Sequence, residues 1–438
     1  MASARLIISF AFLDTLAQNN RDYDRNGHWG CGVLSSEPVA GRRRKSCREV
    51  NEMSATGGDS ISAFFGLNGQ NGADRAVAEF FARRPVLIAG DGKRLLALPV
   101  EGLDSQRLAE FAALSAPIAP RVVITARRAQ AIGLRATTPV VLNSGADLDV
   151  AMILRLVADA ETNHPAGATA ADPLASAAIE LAKLSQGLPA VLVADIAAGR
   201  TLDHRIVSVD AEAIGRLLDN IIESLAIASK AAVPLNSGAR ADFVVFRDAM
   251  GGSQVAIIVG KPDFSEPVLV RLHSACLTGD VFGSRRCDCG DQLNLALKHL
   301  EEMGGGVVLY LAQEGRGLGL ANKMRTYQMQ DDGLDTVDAN TTLGFDDDER
   351  DYRVAARMLQ MLNCDRVVLL TNNPTKLEGL ARSGINITGR MPLEAPVNAD
   401  NRRYLTAKAA RAGHRLNHLA SSLIEPSDTE RDVTTLAP

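Results

Sequence analysis

Three thiols fall within fourteen residues in the segment Cys276-Leu-Thr-Gly-Asp-Val-Phe-Gly-Ser-Arg-Arg-Cys287-Asp-Cys289-Gly290. Thiolates suit a borderline-soft ion such as zinc, and no fourth cysteine in the segment completes an iron–sulfur set. Asp288, the single residue between two of the thiols, lets both grip one ion from a tight turn. Three protein ligands leave one tetrahedral position for water, and with it the possibility of chemistry. His273 or Cys364 could instead close that position and make the metal structural; spacing alone leaves both options open. Unliganded core cysteines are the plain alternative, but a tight polar segment is a poor place for them.

Other segments carry weaker signals. In Gln313-Glu314-Gly315-Arg316-Gly317-Leu318-Gly319 the glycines alternate instead of following the dinucleotide-binding spacing, and Glu314 would sit badly beside a pyrophosphate. The stretch reads as a loop that lets backbone approach a ligand while Arg316 supplies positive charge, or as a simple flexible turn. Thr371-Asn372-Asn373-Pro374-Thr375-Lys376 follows an apolar run and precedes a helical pattern. Free amides, a hydroxyl and a lysine there make an anion site, or an ordinary capped helix. Asp346-Asp347-Asp348-Glu349-Arg350-Asp351 is a solvated acidic run, or a carboxylate–arginine pair that orients a reacting group.

These segments need elements to hold them. At 438 residues, 46% hydrophobic and 23% charged, the chain has the length of two soluble domains. A formal net charge of −5 gives no basic face for nucleic acid, and six cysteines without an even framework point to a reducing compartment, so the expected location is cytoplasmic. No apolar run reaches membrane-spanning length, and the short run Leu6–Leu13 lacks the cleavage pattern of an export signal. Residues 1–75, with Cys31 and Cys47, read as a disordered leader, and residues 421–438 as a disordered tail.

Between them, residues 76–225 read as an α/β domain. Strands are expected at Pro85–Ala89, Leu95–Val100, Arg121–Thr125 and Val191–Ala194. Helices are expected from Asp104 or Ser105 to Ser115 and from Pro173, capped by Asp172, towards Gly187. A weak hinge is expected between about 195 and 225. Residues 226–420 read as a second domain with an antiparallel or mixed sheet. Its expected strands are Phe243–Phe246, Val255–Val259, Val268–Leu272, Val307–Leu311 and Val367–Leu370, with a helix over Leu293–Met303. The fold class is therefore α+β/α/β, a C-terminal mixed-sheet domain preceded by a smaller α/β domain.

Taken in order, the motifs of residues 227–418 resemble the GTP cyclohydrolase II family. They are Arg271-Leu272-His273-Ser274, Cys276-Leu-Thr-Gly-Asp280, Arg286-Cys287-Asp-Cys289-Gly290-x-Gln292, Gln313-Glu314-Gly315-Arg316 and Asn322-Lys323-x-Arg325-x-Tyr327. They continue with Asp335-Thr336-Val-x-Ala-Asn340, Leu343-Gly-Phe-x-x-Asp348-x-Arg350, Thr371-Asn-Asn-Pro-x-Lys376 and Asn401-x-x-Tyr404-Leu-x-x-Lys408 with Gly413-His414. The resemblance implies one zinc per subunit on Cys276, Cys287 and Cys289, whose water attacks carbon 8 of GTP. Formate and pyrophosphate then leave in the first step of riboflavin biosynthesis. It implies base and ribose contacts at Arg271, Leu272, His273, Ser274, Ala275, Gln292 and Thr336, and nucleotide contacts at Glu314, Gly315, Arg316, Thr371 and Lys376. Asp348 is implied as proton acceptor, Arg350 as the nucleophile in pyrophosphate loss, and Tyr327 as the residue beside the opening ring. Magnesium would accompany the triphosphate, and the subunits would pair as a homodimer.

Ala275 and Ala312 depart from the family, which places a glutamate and an arginine there. That leaves open a nucleotide-binding or regulatory relic, or a cyclohydrolase serving another pathway such as pyrimidine catabolism. Residues 84–195 faintly resemble 3,4-dihydroxy-2-butanone 4-phosphate synthase, as in Arg84-Pro85-Val86 and Ala131-Ile-Gly133-Leu134. The acidic run expected after the first strand is replaced by Gly90-Asp91-Gly92-Lys93-Arg94, and a histidine before the Ala177 helix is missing. No synthase activity is expected; a scaffold or dimerisation role is.

Overall fold

The computed structural model describes residues 70–143, 148–162, 167–413 and 416. Most of the expected leader, with Cys31 and Cys47, lies outside these residues, as do the tail and His414. In chain order the N-terminal elements are α1 (Gln70–Phe81), β1 (Val86–Gly90), β2 (Lys93–Pro99), α2 (Ser105–Ser115), β3 (Arg121–Ile124) and α3 (Ala126–Ala131). They continue with β4 (Val140–Leu142), α4 (Val150–Ala158), β5 (Ala168–Ala170), α5 (Pro173–Leu184), β6 (Ala190–Asp195), β7 (Val207–Asp210) and α6 (Ala211–Glu223).

Helices α2, α3 and α5 begin where a side chain accepts from their free amides. Asp104 accepts from the Arg107 amide, Thr125 from Arg128 and Asp172 from Ala175, with Pro173 in the first turn. The strands form a seven-stranded sheet in the order β5-β4-β3-β6-β2-β1-β7, antiparallel except for β1 beside β7. Its central strand β6 carries an unbroken buried run, Ala190 to Ala194, as a strand covered on both faces must. Leu96, Ile124 and Leu192 face one core, and Ile88, Val193 and Leu181 the other.

Two expectations change here. Helix α1 begins at Gln70, inside the stretch read as leader, and buries Ala73, Ala76, Val77 and Phe80. The expected hinge contains β7, which completes the sheet beside β1, and α6, which buries Ala213, Ile214 and Leu217 against it. Strand β7 is only four residues long and takes its burial from pairing with β1, more than a hundred residues away, so its role is not readable from local sequence.

The second domain comprises β8 (Ala226–Pro234), β9 (Arg240–Arg247), β10 (Ser253–Gly260), β11 (Val268–Ser274), α7 (Cys289–Glu302), β12 (Gly305–Leu311), α8 (Leu320–Asp331) and α9 (Thr336–Thr342). It ends with α10 (Arg353–Met361), β13 (Arg366–Leu370), α11 (Pro374–Arg382), β14 (Asn386–Met391) and α12 (Arg402–Ala412). The sheet order is β14-β13-β11-β12-β10-β9-β8. Strands β14, β13, β11 and β12 run parallel, and β12, β10, β9 and β8 alternate, so the sheet is mixed. From β11 the chain passes through α7 to β12 on one side, while β13 lies on the other. Such a switch point opens a crevice beyond the carboxyl ends of the parallel strands.

The two domains meet directly. Leu318, Leu343 and Phe345 of the second domain lie in one buried cluster with Leu142, Ile153 and Leu188 of the first. Among the described residues no helix is long and apolar enough to cross a membrane.

Candidate functional site

The segments that leave the carboxyl ends of β11, β12 and β13 line a cleft. Strand β11 delivers Arg271, His273, Ser274 and Ala275 before the first thiol, Cys276. Strand β12 delivers Gln313, Glu314, Gly315 and Arg316, and β13 delivers Thr371 and, one turn into α11, Lys376. Cys287 and Cys289 precede and open α7, and Gln292 lies on its first turn. Tyr327 arrives on α8, Thr336 on α9, and Arg350 from the loop before α10.

Cys276, Cys287 and Cys289 come together with all their sulfurs within 4.8 Å of one another, the sole group of this kind among the described residues. Cys276 Sγ and Cys287 Sγ are 3.8 Å apart. Two thiolates on a tetrahedral ion at about 2.3 Å lie about 3.8 Å apart, so this pair stands at zinc spacing, with the Cys289 sulfur in reach of the same ion. The backbone is shaped around them as well. A Cβ on Gly279 would lie 2.9 Å from Cys287 Sγ and 3.1 Å from Cys276 Sγ, and one on Gly290 would meet the Gly279 carbonyl at 2.4 Å.

Neither candidate fourth ligand joins the group. Cys364 is in the buried core beneath the sheet. His273 Nε2 is paired with Asp280 Oδ2 at 3.0 Å, and the same carboxylate accepts from the Tyr310 hydroxyl and the Cys276 amide, each at 2.9 Å. This trio braces the turn that carries Cys276. Burial pushes the His273 pKa down despite that carboxylate.

Cations dominate the rest of the cleft: Arg271, Arg316, Lys323, Arg350, Lys376 and Lys408 line it, against the single carboxylate of Glu314. On a chain of net charge −5 this is a focused positive field, suited to a polyanion. Lys323 Nζ donates to Cys276 Sγ at 3.0 Å and to Glu314 Oε1 at 2.7 Å. Burial alone would lower its pKa, but these partners outweigh burial and hold the ammonium charged. Lys408 Nζ reaches Asp288 Oδ1 at 2.7 Å, while Gln292 donates to the other oxygen of Asp288 and accepts from Arg271. Lys376 is buried and donates to the Leu272 carbonyl at 2.8 Å. Desolvation, then the neighbouring Arg271 and Arg350, push it well below the ordinary lysine value. Burial also lowers Arg271 to about 10.

Several buried polar atoms of this cleft have no partner: Arg271 Nε, Ser274 Oγ and Gln313 Oε1. Unpaired buried groups are costly, and all three belong to residues that line the cleft.

Two expected residues lie elsewhere. The Leu272 side chain is buried in the core, and only its carbonyl serves the site, through Lys376. Asp348 sits behind Arg350, bonded to its Nε and Nη2 at 2.6 Å each, and acts on the cleft through that guanidinium. Glu314 lines the cleft, but its oxygens are taken by Lys323 and by the Leu277 amide at 2.7 Å, so it ties the metal turn to the loop after β12. Ala275 lines the cleft, and the Ala312 amide donates to Gln254 Oε1 at 2.7 Å.

Lys323, Lys408 and Tyr404 were not singled out for a role from sequence. A signal existed: Lys323 and Tyr327, and Tyr404 and Lys408, stand four apart on helices and so share a face. In each pair the ammonium lies over the ring, at 5.7 and 4.2 Å respectively.

Three convergent thiols have the donor set of a metal site, and the cation-lined crevice beside them suits an anionic ligand. Comparison with known proteins narrows the class. Residues 226–392 match the sequence pattern of GTP cyclohydrolase II, which begins at the first residue of β8. A protein of Azospirillum brasilense named GTP cyclohydrolase-2 is 42% identical over 359 residues, covering 78% of this chain and 93% of that one. A protein of the same name from Xylella fastidiosa is 38% identical over 379 residues, covering 84% and 92%. The riboflavin biosynthesis protein RibBA of Bacillus mycoides is 53% identical over 163 residues, 37% of this chain and 41% of its own length. Among solved structures, a 3,4-dihydroxy-2-butanone 4-phosphate synthase in its cation-free form aligns with 33% of this chain and 95% of its own. Its TM-score is 0.25 and its identity 13%. The chain belongs to the GTP cyclohydrolase II family.

Proposed function

We propose that the chain is a zinc-dependent enzyme that hydrolyses GTP to 2,5-diamino-6-ribosylamino-4(3H)-pyrimidinone 5′-phosphate, formate and pyrophosphate, the entry reaction of riboflavin biosynthesis. The observation that carries this reading is the open three-thiolate site at one end of a cleft lined by six cations. Zinc held by Cys276, Cys287 and Cys289 would bring the pKa of a bound water from its bulk value to about 7, supplying a nucleophile at neutral pH.

The chain's own groups do the rest. Arg271 and Gln292, locked together and backed by Asp288 and Lys408, present fixed polar edges for the guanine. Tyr327, whose hydroxyl burial keeps protonated, supplies a proton donor beside the thiols as the imidazole opens. Hydrolysis of both bonds to carbon 8 frees that carbon as formate, and hydrolysis between the α- and β-phosphates frees pyrophosphate. Arg316, Lys376 and Arg350, with Thr371 and magnesium, balance the phosphate charge.

Arg350 is held protonated: burial opposes its charge, and the twin bonds from Asp348 outweigh burial. A guanidinium in that state is a poor nucleophile, so its role is to stabilise charge as the pyrophosphate departs. The N-terminal domain has no synthase chemistry in this reading. The protein works in the cytoplasm as a homodimer.

Metal removal tests the proposal. Chelator-stripped protein is expected to lose GTP consumption and to recover it in proportion to the zinc restored, up to one ion per chain. Turnover that survives stripping would overturn it.

A further inference from the structure

The first domain touches the second at the segments that build the cleft. Arg128, on α3, is 1% exposed and has no carboxylate within hydrogen-bonding distance. Its Nε donates to Leu156 O at 2.7 Å, and its Nη2 to Arg155 O at 2.9 Å and Asp159 O at 2.7 Å, all at the C-terminal end of α4. Its Nη1 crosses to the second domain and donates to Thr342 O at 2.8 Å, at the C-terminal end of α9. A guanidinium joining two helix C-termini caps carbonyls of their last turns and sits in the negative ends of both dipoles. Desolvation lowers its pKa to about 10, which still leaves it charged at neutral pH.

Thr125, one turn earlier, donates from Oγ1 to Gly344 O at 2.6 Å. Gly344 has φ +91, and a Cβ there would lie 2.8 Å from Thr125 Oγ1 and 3.2 Å from Arg128 Cβ. The two domains are therefore in contact at backbone level. The same helix, α9, carries Thr336 and Asn340 on the cleft wall, and the chain leaving it through Gly344 reaches Asp348 and Arg350 within a few residues. Two peripheral ion pairs flank that run, Arg127 with Asp346 at 2.7 Å and Lys183 with Glu349 at 3.0 Å.

From this geometry we infer that the N-terminal domain is a positioning device for the cyclohydrolase site, in which Arg128 and Thr125 pin α9 and the turn at Gly344 so that Thr336, Asn340 and Arg350 are held in register with the metal centre. Neither residue touches the substrate. The inference rests on the hydrolase reading for its kinetic consequence, but its structural content does not. Misplacement of catalytic groups by about 1 Å from a remote change costs on the order of 10²-fold.

The test uses full-length protein carrying Arg128→Lys or Thr125→Val, compared with Arg127→Ala. The last breaks only an exposed ion pair with Asp346. Two readouts are taken on folded, zinc-quantified protein: amide exchange of residues 337–350, and the split between kcat and KM for GTP. Positioning requires faster exchange confined to that stretch, unchanged exchange in β12, full zinc content and a fall in kcat/KM on the order of 10²-fold. Thr125→Val keeps its volume but loses both the bond to Gly344 O and the cap of α3; Thr125→Ser keeps both and should behave as wild type, so the pair remains informative if Arg128→Lys fails to fold. Unchanged exchange in 337–350, or a lowered active fraction with the native kcat and KM, would show a merely structural contact and overturn the inference. If the wild type does not consume GTP, the hydrolase reading fails, and the exchange data still decide whether Arg128 and Thr125 order α9.

Discussion

Replacing Cys287 with serine is expected to abolish metal retention and to lower kcat for GTP by on the order of 10³-fold or more. The thiol lies 3.8 Å from Cys276 Sγ, at tetrahedral spacing, in a pocket that Gly279 leaves open for the sulfurs. A serine hydroxyl is harder than a thiolate and does not ionise at neutral pH, so two thiolates would remain where the ion needs three. The domain should still fold, because its core of Val270, Leu309, Leu359 and Leu369 does not include the metal turn. Elemental analysis, the melting curve and GTP turnover on one preparation check all parts of this result. Turnover by metal-free Cys287→Ser protein would refute the assignment of the metal to catalysis.

Asp348→Asn carries the second large effect. Its carboxylate holds Arg350 through two bonds of 2.6 Å and accepts from the Tyr352 hydroxyl at 3.3 Å. Burial alone would raise the Asp348 pKa, but Arg350 outweighs it and keeps the value below the ordinary 3.8. The stability this pair contributes is therefore fully present above that ordinary value and is lost as pH falls through the lowered one. Asparagine leaves a buried guanidinium beside Lys376 and Arg271 without its counter-charge. Breaking a buried pair costs about 3–5 kcal/mol, and the 22% exposure of the Asp348 side chain puts this case at the low end of that range. Turnover should fall about 10²-fold as Arg350 loses its fixed orientation, with zinc content unchanged. Unaltered kcat in a folded, zinc-loaded variant would remove Asp348 and Arg350 from the mechanism.

What the sequence revealed and what it hid divide along sequence separation. The thiol set is local, as are the caps Asp104 and Asp172 and the buried runs of β6, β12 and β13; residue type and spacing there follow from short-range geometry. Short β7 and the start of α1 escaped because each depends on a distant neighbour to complete its burial. The charge network escaped for the same reason. Lys408 meets Asp288 across 120 residues, and Arg128 meets Thr342 across 214. Nothing near Arg128 in the chain distinguishes it from Arg127, which reaches only an exposed ion pair. Asp348 and Leu272 show the converse: a motif identifies the position but does not say whether the side chain faces the cleft, its neighbour or the core.

The most direct measurement of the central claim is the product stoichiometry of zinc-quantified wild-type protein incubated with GTP and magnesium. Formate, pyrophosphate and the pyrimidine chromophore are expected in equal amounts, each matching the GTP consumed. Zinc bound at full occupancy with GTP left intact, or pyrophosphate released without formate, would contradict it.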